Sequence, residues 1–370
     1  MNMSAAQPNL PIPVHAASRL AYLDQLKLWL VSLVVVHHAG QPYGPPEEWP
    51  LRSATADLPL GAFFEINGAF FMGLFFLISA VFLPMAVDRD GVRKTMSSRF
   101  VRLGTPLVVM SVLVFGPISY FTKVHHEGFI TYMLRDYLGR AAFQVGHLWF
   151  LSWLLVMCLS YGGWRLTVRL WTSSPAKPPG HSAILGAVAL LIVANTILRI
   201  WFPVGVWVDL APLVTVEVGR LPQYVFLFIM GLATGRFGWL ESFPLARGLV
   251  WLALGLAAAG LRLLQPWLVP MPPWAWRVEE AVIGVGLSIG LLVLFRVRWG
   301  HPSQVFSGLA RDAFAVYLIH VFLVVALQFA FEAVPINAYG RFAAVSVLGV
   351  ITSIALAHGL LRVPGVRRFL

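Results

Sequence analysis

Charge is what this chain has little of. Asp, Glu, Lys and Arg together make up only 12% of its 370 residues, about half the 25% usual in a soluble domain. The shortage excludes an ordinary soluble enzyme. Cysteine is almost absent. A single thiol, Cys158, cannot close an internal disulfide, and nothing follows a Cys/His zinc spacing, so no metal is expected. Acidic residues are scarce beside basic ones, 16 against 27, which gives a formal net charge of +11. Polar stretches are no longer than loops, the longest falling near 164–181. No internal repeat is visible, so the inverted halves common in secondary transporters are not legible here.

What is present is apolar length. Hydrophobic residues reach 58% and mean hydropathy is +0.77. Runs near the ~20 residues needed to cross a bilayer recur along the chain. They predict an all-α polytopic membrane protein, a bundle of about ten transmembrane helices near 22–40, 61–86, 103–121, 147–163, 183–203, 221–236, 246–266, 278–296, 312–332 and 341–362. The first run is too long and too poor in small residues to be a cleaved signal. Residues 1–18, with Pro8, Pro11 and Pro13, read as a flexible leader, and 19–370 as one transmembrane domain. With the N-terminus cytoplasmic, about two thirds of the Lys and Arg fall inside, which places both termini in the cytoplasm. The positive charge is then topological, and nucleic acid needs no place in the account.

Two constellations break the apolar pattern. In the first helix Lys27 is followed eleven positions later by His38. Eleven residues are nearly three turns, so the two share a face about 16 Å apart along the axis. Asp24 lies a turn below Lys27, and His37 points about a quarter turn away. Ionisable groups inside a membrane span mark function by default. The second constellation is Arg99-Phe100-Val101-Arg102, where the third span leaves the cytoplasm. Two guanidiniums three residues apart suit phosphate, and ordinary positive-inside charge is the competing reading. Elsewhere His147 and His320 stand in or beside apolar segments, while Glu279, Glu280 and Glu332 read as residues reaching the headgroups. Glu65 and Asn67 sit at the outer mouth of the second span. The outer loop 41–59 is rich in proline.

Five motifs in order resemble the acyltransferase-3 family of bacterial inner-membrane acyltransferases. Tyr22-Leu23-Asp24-Gln25-Leu26-Lys27 followed by His38 is similar to its basic-residue-x10-histidine motif, with Lys27 where arginine is commoner. Leu74-Phe75-Phe76-Leu77-Ile78-Ser79-Ala80 resembles its aromatic second span. Arg99 and Arg102 match its R-x-x-R element. Gly146-His147-Leu148-Trp149-Phe150-Leu151 and Ala315-Val316-Tyr317-Leu318-Ile319-His320 complete the set. The His-Leu-Trp-Phe-Leu form looks closest to the glucan-modifying, succinyltransferase-like branch.

The resemblance implies transfer of an acyl group from cytoplasmic acyl-CoA, the co-substrate, to a hydroxyl of an envelope carbohydrate or similar acceptor at the outer face. His38 would be the general base, since histidine titrates near neutral pH. Arg99 and Arg102 would hold the CoA phosphates. Lys27 would steady the donor or simply pair with Asp24. His37, Glu65, Asn67, His147, Tyr317 and His320 are candidates to line the site. Direct attack on the thioester and a covalent acyl-histidine both fit these residues. The reading from another class is a multi-span transporter of a small acid or acylated molecule.

Overall fold

The computed structural model describes residues 14–45, 49–53, 58–122, 126–168, 176–268, 271–300, 308–309 and 312–365. The first thirteen residues of the expected leader, and parts of the proline-rich outer loop, lie outside them. The chain is a helical bundle. Its helices are α1 (Val14–Gly40), α2 (Gly61–Val81), α3 (Leu83–Asp90), α4 (Val92–Arg99), α5 (Thr105–Met110), α6 (Gly116–Thr122), α7 (Phe129–Thr131), α8 (Trp149–Thr167) and α9 (His181–Leu198). After a hairpin come α10 (Leu221–Phe237), α11 (Trp239–Ser242), α12 (Leu245–Leu264), α13 (Pro273–Arg298), α14 (Ala313–Glu332) and α15 (Ala338–Leu360).

Among the described residues, seven helical segments are long and apolar enough to cross a membrane: Gly61–Asp90, Val92–Phe121, His181–Leu198, Leu245–Trp267, Trp274–Arg298, Ala313–Glu332 and Ala338–Leu360. The protein is thus a multi-pass membrane protein. The other three expected spans are helical too, as α1, α8 and α10. α1 carries Asp24 and Lys27, and α10 is only 17 residues long.

The core is aromatic and aliphatic, and α1 runs through it. Leu23, Leu26, Leu30 and Val34 are all buried and fall on one stripe at helical spacing. This stripe packs among α2, α13, α14 and α15. α2 and α10 approach closely because α10 offers Gly231 and Gly235. A Cβ at either position would strike the α2 carbonyls of Leu77 and Val81 respectively, the small-residue packing expected where helices meet in a membrane.

The third span is irregular. Phe100–Gly104 and Ser111–Phe115 are π-helical turns. Each is followed two residues later by a proline, Pro106 and Pro117. A proline has no N–H for the preceding turn and its ring crowds the carbonyl there, so the helix widens. The expectation of an all-α chain meets one exception. Trp207–Ala211 pairs antiparallel with Val214–Glu217, with Val208 opposite Val216. The stretch is rich in β-branched residues (Val208, Val214, Thr215, Val216), which suits a short ribbon, exposed on its first strand and buried at Val216 and Glu217 on its second, better than a helix.

Candidate functional site

Three histidines from three distant parts of the chain converge. His38 stands in the last turn of α1. Its Nδ1 lies 2.9 Å from the Val34 carbonyl oxygen and 3.2 Å from Nε2 of His320 on α14. His147 precedes α8 in a 3-10 turn (Gly146–Leu148). This turn is entered through Gly146 at φ +46°, a left-handed conformation natural to glycine. The His147 and His320 rings are 5.2 Å apart, edge to face.

The carbonyl neighbours fix the tautomers. A carbonyl only accepts, so Nδ1 of His38 carries the hydrogen, and in the neutral ring Nε2 keeps the lone pair. The same holds for His320, whose Nδ1 is 2.7 Å from the Tyr317 oxygen. Its Nε2 is therefore the acceptor turned toward the His38 N–H. His147 Nε2 donates to the Leu318 oxygen at 3.2 Å. Its Nδ1 is buried and, among the described residues, has no hydrogen-bond partner. Tyr317 closes the cluster by donating its hydroxyl to the His147 carbonyl. Among the described residues no group of three His, Cys, Asp or Glu is placed to hold a metal ion.

Two residues complete the site that sequence reasoning missed. Trp49 lies stacked on His38, 5.2 Å between ring centroids at 26°. Its indole N–H donates to Gln328 Oε1 at 2.8 Å. Gln328 Nε2 donates in turn to the His38 carbonyl at 2.9 Å. Gln328 had a signal, being a polar residue eight positions after His320 on the same helical stripe. Trp49 had only its nearness to the outer interface.

The remaining sequence candidates fall in four places. His37 packs beside His38 against Phe63, Phe64 and Phe71, with Asn67 Nδ2 3.5 Å from its Nδ1. These two extend the histidine cluster. Asp24 and Lys27 pair with each other at 3.1 Å, far down α1 from His38. Arg102 lies over the Phe314 ring at 5.8 Å, near the start of α14. Among the described residues neither Arg99 nor Arg102 has a carboxylate partner. Glu65 is not brought to the histidines. It is bound by Arg262 (Nε to Oε2, 2.6 Å), whose guanidinium lies 4.5 Å over Trp276.

One expectation is corrected. Neither Glu279 nor Glu280 reaches the headgroups: Glu279 is buried, and so, fully, is Glu280. Arg199 Nη1 reaches its Oε2 at 2.5 Å and Arg220 Nη1 its Oε1 at 2.9 Å. Arg220 also pairs with Glu217 at 3.2 Å. This ionic knot ties the hairpin region to α13, since buried charges persist only when paired.

A family model described as an acyltransferase domain matches residues 20–358, a span that takes in every histidine of the cluster and the Arg99–Arg102 element. The chain belongs to the acyltransferase-3 family. Similar proteins include "Glucans biosynthesis protein C" of Escherichia coli strain K12 and of Escherichia coli O6:K15:H31. Each is 30% identical over 151 residues, covering 40% of this chain and 38% of the relative. The match thus spans about two fifths of the length of these curated relatives. They agree with the glucan-modifying branch of the acyltransferase-3 family that the motifs resemble. No solved structure matches the chain.

Proposed function

We propose that this acyltransferase-3 protein is an acyl-CoA-dependent O-acyltransferase of the bacterial inner membrane. It crosses the membrane about ten times with both termini in the cytoplasm. It moves an acetyl or succinyl-like group to a hydroxyl of an envelope glucan or similar acceptor at the outer face. The observation that carries this reading is His38, whose Nδ1 is occupied by the Val34 carbonyl and whose Nε2 lone pair is left for a substrate.

In the proposed reaction Nε2 of His38 takes the proton of the acceptor hydroxyl as its oxygen attacks the thioester carbon. The C–O bond forms, the C–S bond breaks, and the proton passes to the leaving CoA thiolate. One histidine therefore acts first as base and then as acid. Arg99 and Arg102 hold the CoA phosphates, a task suited to guanidinium forks.

The depth relationship supports this division of labour. Arg102 sits over Phe314, and His320 is six residues further along the same helix. Six residues of helix are roughly 9 Å, within reach of an extended pantetheine arm. A transporter reading finds less support. Of four buried carboxylates among the described residues, Glu217, Glu280 and Asp312 are held by arginine or histidine partners and only Glu279 is not, whereas a pump requires free proton-relay carboxylates.

The test is mass spectrometry of envelope glycans from cells expressing wild type, His38→Ala or neither. The expected result is a mass increment of one acyl group with wild type alone. Equal glycan masses in all three, with His38→Ala protein at normal level, would sink the proposal.

A further inference from the structure

We infer that His320 is a positioning residue for His38: its Nε2 accepts the His38 Nδ1 hydrogen and shares the positive charge that develops when His38 takes a proton. The inference rests on His38 being the base. The 3.2 Å contact between His320 Nε2 and His38 Nδ1 joins residues 282 positions apart, so it is a product of the fold rather than of local helix geometry. His320 is held for this task. It is completely buried, and its own Nδ1 is committed to the Tyr317 oxygen at 2.7 Å. That bond leaves Nε2 as an acceptor only. The His38 hydrogen is then shared between the Val34 carbonyl and His320.

In a histidine–carboxylate pair an anion fills the second role. Here a neutral imidazole does so, and its chemistry fits the surroundings. An ionised carboxylate at this depth would carry a desolvation penalty in the resting protein. A neutral ring hydrogen-bonded at both nitrogens carries far less, and its attraction for His38 grows only when His38 becomes an imidazolium. Such an interaction is stronger in the transition state than in the ground state, and so raises turnover rather than affinity. The proton ledger is unchanged: the hydroxyl proton goes to His38 Nε2 and then to the CoA sulfur, while the Nδ1 proton stays between the two rings.

The test uses the full-length protein in membrane vesicles. Acetyl-CoA or succinyl-CoA is the donor, a glucose oligosaccharide the acceptor, and release of free CoA thiol the readout. We expect His38→Ala to be inactive. His320→Ala should lower kcat on the order of 100-fold, with the donor and acceptor KM within about twofold. His320→Gln, whose Oε1 can accept the same hydrogen, should recover part of that loss. If His320→Ala does not fold, His320→Leu against His320→Gln makes the same comparison, because leucine fills the space without an acceptor. Full activity in His38→Ala, or no thiol release by wild type with either donor, overturns the underlying function and this inference together. An inactive His38→Ala beside a His320 series with unchanged kcat, with changes confined to KM, or with glutamine no better than leucine, overturns the positioning role alone.

Discussion

Gln328 on α14 donates from Nε2 to the backbone carbonyl of His38 at 2.9 Å, so the helix that carries His320 is fastened to the end of the helix that carries His38. The same amide accepts from Trp49, and the indole covers the His38 ring. One glutamine therefore sets the distance between two histidines and the lid over one of them. Replacing it by leucine leaves the His38 carbonyl and the indole N–H unpaired. We expect Gln328→Leu to lower stability by about 1–3 kcal/mol and to reduce acyl transfer while donor KM changes little. Thermal unfolding in detergent and CoA thiol release check the two effects.

Arg99 and Arg102 face no carboxylate among the described residues, in contrast to Arg165 and Arg236, which share Asp88. Their charges are available to a phosphate. The double variant Arg99→Ala, Arg102→Ala should raise donor KM by at least about tenfold, since one charge-assisted bond is worth about 1.5–3 kcal/mol and about 1.4 kcal/mol is a factor of ten. Acceptor KM should stay within about twofold. Wild-type donor KM in this variant would remove the phosphate role.

Glu280 neutralises Arg199 and Arg220 in the protein interior. Removing one partner of a buried ionic network costs about 3–5 kcal/mol, because the opposite charges remain desolvated. Glu280→Leu should therefore sharply reduce the folded yield, read as the monodisperse fraction on size exclusion. Asp24→Asn should not, because the Asp24–Lys27 pair is partly exposed and such pairs contribute little.

The approach of α2 and α10 yields a steric prediction. A methyl group at Gly235 would meet the Val81 carbonyl, which belongs to rigid backbone. We expect Gly235→Ala to destabilise by about 1–3 kcal/mol. Gly163 in α8 has open space at its Cβ position, so Gly163→Ala should be neutral or slightly stabilising, by up to about 1 kcal/mol. Reversing that order in thermal midpoints would contradict the packing described.

Much of the site's membership was legible, because ionisable residues in an apolar segment stand out. His38, His147 and His320 are visible as single polar letters among Leu, Val and Phe, and the motif order groups them. Their mutual arrangement was not. Nothing in spacing says that His320 meets His38 while Glu65, equally conspicuous, turns to Arg262. Glu280 misled for the same reason: a carboxylate near a helix end reads as exposed until its arginine partners, 60 and 81 residues away, are known.

Composition and periodicity by themselves determined that this chain is a bundle of apolar helices. Hydrophobic length and helical period are local properties, set by the need to satisfy backbone hydrogen bonds within each segment in lipid. The order of its motifs determined the family. Only the tertiary structure decided which nitrogen of each histidine is free, which arginines are spent on ion pairs, and that Trp49 and Gln328 belong to the site. The free nitrogens of His38 and His320 are set by carbonyls four and three residues away, while the Glu280 ion pairs and the Gln328 contacts join residues 60 to 290 positions apart, where packing rather than sequence spacing sets the distances.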